Sequence, residues 1–154
     1  MQYTIRPANH SDSDAILSLL PRLADFDIPK TRNPDHLWQG DAEMLNAWKS
    51  EDRQDMGVFV AVSDDEEIVG SSIVTLREEL LSHEPSAHLE VLVLAKSAEG
   101  HGLGKRLIAA AEEFAITHNA QSITLHVFRA NARARALYEK SGYAPELMRY
   151  IKPL

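Results

Sequence analysis

A chain of 154 residues fits one ordinary domain, and 44% apolar with 25% charged residues excludes disordered and fibrous classes. Its 16 Lys and Arg against 23 Asp and Glu leave a net charge of −7, which argues against general nucleic-acid binding, since that relies on neutralising phosphates, and leans mildly toward a cationic substrate. The absence of cysteine excludes disulfides, thiol nucleophiles and thiolate metal sites and suits a cytoplasmic protein; no apolar run approaches a membrane span, and residues 1–7 lack the pattern of a signal peptide.

In chain order, Tyr3 to Arg6 read as a first strand. Ser11 to Asp14 offer helix caps, and Ile16, Leu17, Leu20 and Leu23 recur at helical spacing, with Pro21 expected to kink or restart the helix. Residues 24 to 40 read as a loop, and Asp41 as the cap of a second helix carrying Met44, Leu45 and Trp48 on one face. Val58 to Val62 and Ile68 to Leu76 read as strands around a polar turn; residues 77 to 86, with Pro85, read as a connection. Leu89 to Ala95 is a nearly continuous apolar run, typical of a strand covered on both faces, interrupted by Glu90. After Gly100-His101-Gly102-Leu103-Gly104, a helix runs to about Asn119, then an alternating strand over 121 to 128. Asn131 precedes a short helix stopped by Gly142, and Tyr143 to Ile151 read as a last strand. The order is a mixed sheet flanked by helices in a single domain over residues 1–154.

A strand that enters a Gly-x-Gly-x-Gly turn and then a helix has phosphate-binding geometry: glycines admit an anion to the backbone, and first-turn N–H groups point at it. Glu99 and Arg106 exclude a P-loop, and Lys105 excludes a dinucleotide fingerprint. A glycine-rich turn without a ligand is the competing reading. The segment Asn131, Ala134, Leu137, Tyr138, Gly142 and Tyr143 supplies a second motif. Together with Gly102 and Gly104 it resembles the GCN5-related N-acetyltransferase (GNAT) superfamily, over roughly residues 68 to 143. The family's Arg or Gln before the glycines is Glu99 here, which is expected to point into solvent.

The resemblance implies the GNAT fold of the α/β (α+β) class: a mixed, mostly antiparallel sheet of six to seven strands flanked by about four helices, splayed between strands four and five. It implies an N-acetyltransferase that passes the acetyl group of acetyl-CoA to a primary amine in a ternary complex. The pantetheine arm would pair with the backbone of Leu92, Val93 and Leu94 and meet Asn131, and the diphosphate would sit on the amides of Gly100, His101, Gly102, Leu103, Gly104 and Lys105. Tyr138 would protonate the leaving thiolate. Two residues compete as base, Glu90 and His126, with simple deprotonation by water as the third course. The other histidines show no metal-ligand spacing, so no metal is expected. Trp38 and Phe26 could line an acceptor pocket or pack in the core. The acceptor could be a small amine, an amino sugar or a protein amine; neither nucleic acid nor membrane is expected as a partner, and the family often pairs as homodimers. The rival reading is a non-catalytic acyl-CoA-binding or sensing module.

Overall fold

The computed structural model describes residues 1–154. Five strands form one sheet in the order β1 (Tyr3–Pro7), β2 (Met56–Ser63), β3 (Ile68–Glu78), β4 (Pro85–Leu94) and β5 (Ile123–Leu125). The first four are antiparallel neighbours; β5 lies parallel to β4. The helices are α1 (Ser13–Leu19), α2 (Gln39–Glu51), α3 (Leu103–Thr117) and α4 (Ala132–Lys140). As the sequence suggests, Pro21 restarts the first helix: α1 stops at Leu19 and a tighter 3₁₀ turn covers Leu20–Ala24. Gly142, at φ 96°, ends α4.

Each face of the sheet buries its own core. Ile16, Leu20, Leu45 and Trp48 cover one face against Val58, Val60, Ile73, Val91 and Val93. Leu103, Leu107, Ile108 and Ala111 of α3 cover the other, against Ala61, Val69, Val74, Ala87 and Leu89. Full burial of a side chain such as Leu107 contributes about 1.5–3 kcal/mol. A central strand between two helical layers must be apolar on both faces, which is why β4 reads as a continuous run.

Four elements differ from their sequence expectation. Asp41 does not cap α2, which begins at Gln39 with Trp38 at the cap position; Asp41 lies in the first turn. β4 begins earlier, because Pro85 takes the strand's first position opposite Glu78, where its missing N–H costs the ladder least. β5 is shorter than the 121–128 alternation: it pairs only Ile123 to Leu125 with Ala87 to Leu89. The last strand does not form; residues after Gly142 have no regular structure, so the sheet has five strands rather than six or seven.

Two irregularities shape the sheet where function is expected. Ile73 faces Val91 and Val74 faces Leu89, so Glu90 is an extra residue on β4, a β-bulge that re-aims its side chain. Beyond Leu89 and Leu125 the parallel pair ends, and β4 continues to Leu94 with its β5-facing edge unpaired.

Candidate active site

The open edge of β4 leads, through a 3₁₀ turn at Lys96–Ala98, to the glycines before α3. Gly100 and Gly102 hold φ 82° and 73°, which a side chain would strain, and nothing lies within 4 Å of where a Cβ would stand on either. None of the backbone N–H groups from Gly100 to Lys105 donates a hydrogen bond within the protein. These donors and the positive end of α3 form an anion cradle, with Lys105 exposed and unpaired beside it. Gly104 differs: a Cβ there would stand 2.9 Å from Leu137 Cδ2, so this glycine lets α3 and α4 approach closely. His101 is exposed, its Nδ1 3.2 Å from the Ala98 carbonyl and its ring against Tyr3. Leu103 is a buried core residue that offers the cradle only its backbone.

Along β4, backbone groups of alternate residues face opposite neighbours. The Leu94 carbonyl accepts from Arg22 Nε at 2.7 Å, and Ala95 N–H donates to Val69 on β3. Leu92 and Leu94 therefore turn toward the open edge, and Val93 turns toward Ser71 on β3. Of the three residues expected to pair with an extended ligand, Leu92 and Leu94 have the right orientation and Val93 does not. Asn131 caps α4, its Oδ1 accepting from Ala134 N–H at 3.3 Å, which leaves its amide NH₂ to donate elsewhere. Tyr138 sits on α4 packed beside Tyr143, with no hydrogen bond to its hydroxyl, and burial pushes its pKa up to about 12.

Glu99 does not point into solvent. Its side chain is 26% exposed and bridges Arg133 of α4 and Arg22, each at 2.7 Å. The hydrogen bond from Arg133, aided by the charges of Arg133, Arg22 and Lys96, holds its carboxyl below the usual carboxylate range. The negative charge beside the cradle is thus matched by two guanidinium groups. Arg22, three-way bonded to Leu94, Asp25 and Glu99, went unnoticed in the sequence, where nothing links it to a residue 77 positions away.

The face opposite α3 carries a polar cluster. Glu90, only 13% exposed, accepts from Thr75 Oγ1 at 2.8 Å and pairs with Arg77, so it is not a bare carboxylate in an apolar strand. With Gly40, Met44 and Arg53 these groups line an open cleft of about 600 Å³. Two residues that sequence reasoning missed as site candidates lie close enough to feel the charge of Glu90. Asp41 is half-buried, and its burial together with the nearby charge of Glu90 pushes its carboxyl up to about 7. His88, 5% exposed, meets Thr124 Oγ1 at 2.7 Å through Nδ1, and burial holds it down to about 4. Its ring packs edge-on against His126 at 4.7 Å. His126 lies just past β5, exposed, rather than on the strand. Phe26 pairs with Phe128 at 5.6 Å, across from the helical region to the segment after β5. Trp38 packs against the α1–α2 core, its structural role.

The acetyltransferase (GNAT) family model matches residues 21–143. The chain belongs to this family. Its members use acetyl-CoA, and the donor-rich, side-chain-free cradle after β4 fits the diphosphate of such a molecule. An uncharacterised N-acetyltransferase, YhfO, of Bacillus subtilis is 30% identical over 139 residues, 90% of this chain and 88% of its own. A mycothiol acetyltransferase of Jonesia denitrificans is 34% identical over 102 residues, 66% of this chain; the chain spans about 31% of that relative. The aminoglycoside 6′-N-acetyltransferase of Acinetobacter baumannii superposes with a TM-score of 0.74 at 16% identity, covering 99% of both chains, a likeness of fold. No helix of this acetyltransferase-family chain is long and apolar enough to cross a membrane.

Proposed function

We propose that residues 1–154 form one catalytic domain that transfers the acetyl group of acetyl-CoA to a primary amine by direct attack in a ternary complex. The observation that carries this reading is the β4 edge that β5 leaves free beyond Leu89, leading through one 3₁₀ turn to the undonated amides of Gly100 to Lys105. That edge would hold the pantetheine arm on Leu92 and the Leu94 N–H as an added strand does, the Leu94 carbonyl being held by Arg22, with Asn131 donating from α4, and the amides would hold the diphosphate. Bound acetyl-CoA supplies the activated acetyl group.

The chain's own residues supply the rest. The Leu92 N–H, free at the open edge, is the donor for charge developing on the acetyl oxygen. The Tyr138 hydroxyl, held protonated by burial, donates to the departing sulfur. With no cysteine in the chain, no acetyl-cysteine forms. The amine must arrive neutral. Glu90, Asp41 and His126 are the groups able to take its proton, and burial raises Asp41 to about 7. Support for an amine acceptor comes from the acidic pair on this face and from the related N-acetyltransferases.

Calorimetric titration with acetyl-CoA and CoA tests the cofactor half, with micromolar affinity expected. Thiol release against a panel of small amines, amino sugars and lysine peptides tests the transfer half. Tyr138→Phe should lower kcat by about 10²-fold at unchanged CoA affinity and unchanged circular dichroism. Absence of any CoA binding overturns the proposal; tight binding with no thiol release on the whole panel turns it toward a sensing module.

A further inference from the structure

Two arginines that the sequence does not single out share one cleft. Arg53 follows α2 and spends Nε and Nη2 on Asp55, at 2.7 Å each, which leaves Nη1 with no partner in the protein. Arg77, near the end of β3, bonds Thr75 and Glu90 through Nη2 alone and leaves Nε and Nη1 free. A guanidinium presents its N–H donors in a fixed plane that suits carboxylate and phosphate. The two side chains are 34% and 45% exposed, and both line the cleft of about 600 Å³ between α2 and the sheet.

The same cleft holds carboxylates. Glu43 stands exposed with no ion pair, Glu90 is shared with Arg77, and Asp41 adjoins Gly40 of the lining. A ligand with one kind of charge meets repulsion from part of this lining; a ligand with both kinds finds a partner for each. Exposed ion pairs contribute little to stability, so holding the fold is a poor account of two half-used guanidinium groups in one cleft. Glu90 lines the cleft and stands close before Leu92 on β4, so the cleft adjoins the place proposed for the acetyl group.

We propose that the acceptor amine carries an anionic group of its own, a carboxylate or a phosphate, which Arg77 and Arg53 hold while the amine faces Glu90 and Asp41. The inference rests on the catalytic reading and narrows it. Free amino acids and phosphorylated amino sugars fit; plain amines and the lysine side chains of peptides lack an anion at a fixed distance from the nitrogen.

Matched pairs test it: an amino acid beside the amine left by its decarboxylation, and an amino sugar beside its phosphate ester. Each compound is titrated calorimetrically into CoA-saturated protein and assayed for thiol release from acetyl-CoA. In at least one pair the anion-bearing member should bind more tightly and show a kcat/KM higher by about tenfold or more, and that pair tells which anion is read. Arg53→Gln and Arg77→Gln should each remove most of this preference, and Arg53→Lys should keep part of it. A structural fault lowers both members of a pair together, so the ratio between them reports recognition. Arg53 makes no bond to Glu90, which keeps its variant clear of the proton-accepting groups. Equal binding and turnover within every pair overturns the inference, as does a preference that both Gln variants leave intact. Absence of thiol release from every amine is a different result: it defeats the catalytic reading itself, and the inference falls with it.

Discussion

Asp41 is a carboxylate that the fold would rather keep protonated. Its folded pKa of about 7 lies above the ordinary value of 3.8, so between these values the folded state binds the extra proton. The stability it contributes is full below about pH 4 and is lost as pH rises toward and through 7. Asp41→Asn should therefore stabilise the protein at pH 8 by on the order of 1–2 kcal/mol, after discounting for solvent screening, and leave it nearly unchanged at pH 4. Urea titrations at the two pH values measure this. The same variant sorts the bases. Loss of the acidic limb of the kcat/KM profile in Asp41→Asn, with the limb retained in Glu90→Gln and His126→Gln, identifies Asp41 as the base; a limb surviving in all three assigns it to the acceptor amine. Sequence alone raised Glu90 beside His126, since a charge within an apolar strand is conspicuous. Asp41 looked like a helix cap, because the local pattern accounts for it and its burial beside Glu90 arises only when α2 packs on the sheet. Glu99 was legible as a departure from the family's motif, but its partners Arg22 and Arg133 are not its sequence neighbours.

At the scale of elements, the glycines before α3 divide by what a methyl group would meet. Gly102→Ala forces a side chain into φ 73°, at a cost of about 1–2 kcal/mol, and should weaken CoA binding by disturbing the amides. Gly104→Ala presses on Leu137 instead, so its destabilisation should shrink in a Leu137→Ala background, while that of Gly102→Ala should not. Chemical denaturation of the three single variants and the two double mutants, with CoA titrations, separates the two roles. The strands and helices were readable in kind from periodicity. What the sequence withheld was pairing: the alternation of residues 121–128 persists after β5 has left its neighbour, and Tyr143 to Ile151 has the composition of a strand with no edge in its own chain that it meets. Pairing is a tertiary event that composition does not encode. The bulge at Glu90 is equally silent in sequence, for an extra residue shows only when two strands are laid side by side.

For the molecule as a whole, the two cores and the open seam between β4 and β5 follow the family's architecture, and this much the two motifs made legible. The net charge acts over the entire surface. An acidic protein gathers cationic substrates at low ionic strength, and salt screens that attraction. Raising salt from about 0.05 to about 0.5 M should raise KM for a cationic amine several-fold at nearly constant kcat. An acceptor whose KM is indifferent to salt would place binding under local contacts instead.

The parallel seam also sets an order of assembly. β2, β3 and β4 join through short hairpins, but β5 reaches β4 only after the crossover through α3 has been laid down, and it is held by three residue pairs. β5 and α4 are therefore the part of the molecule that opens first and closes last. Their amides should exchange with solvent faster than those of β2 and β3, by a sub-global route that leaves the antiparallel strands protected. A ligand lying between β4 and α4 would bridge that seam, and its binding would slow the exchange on both sides of it.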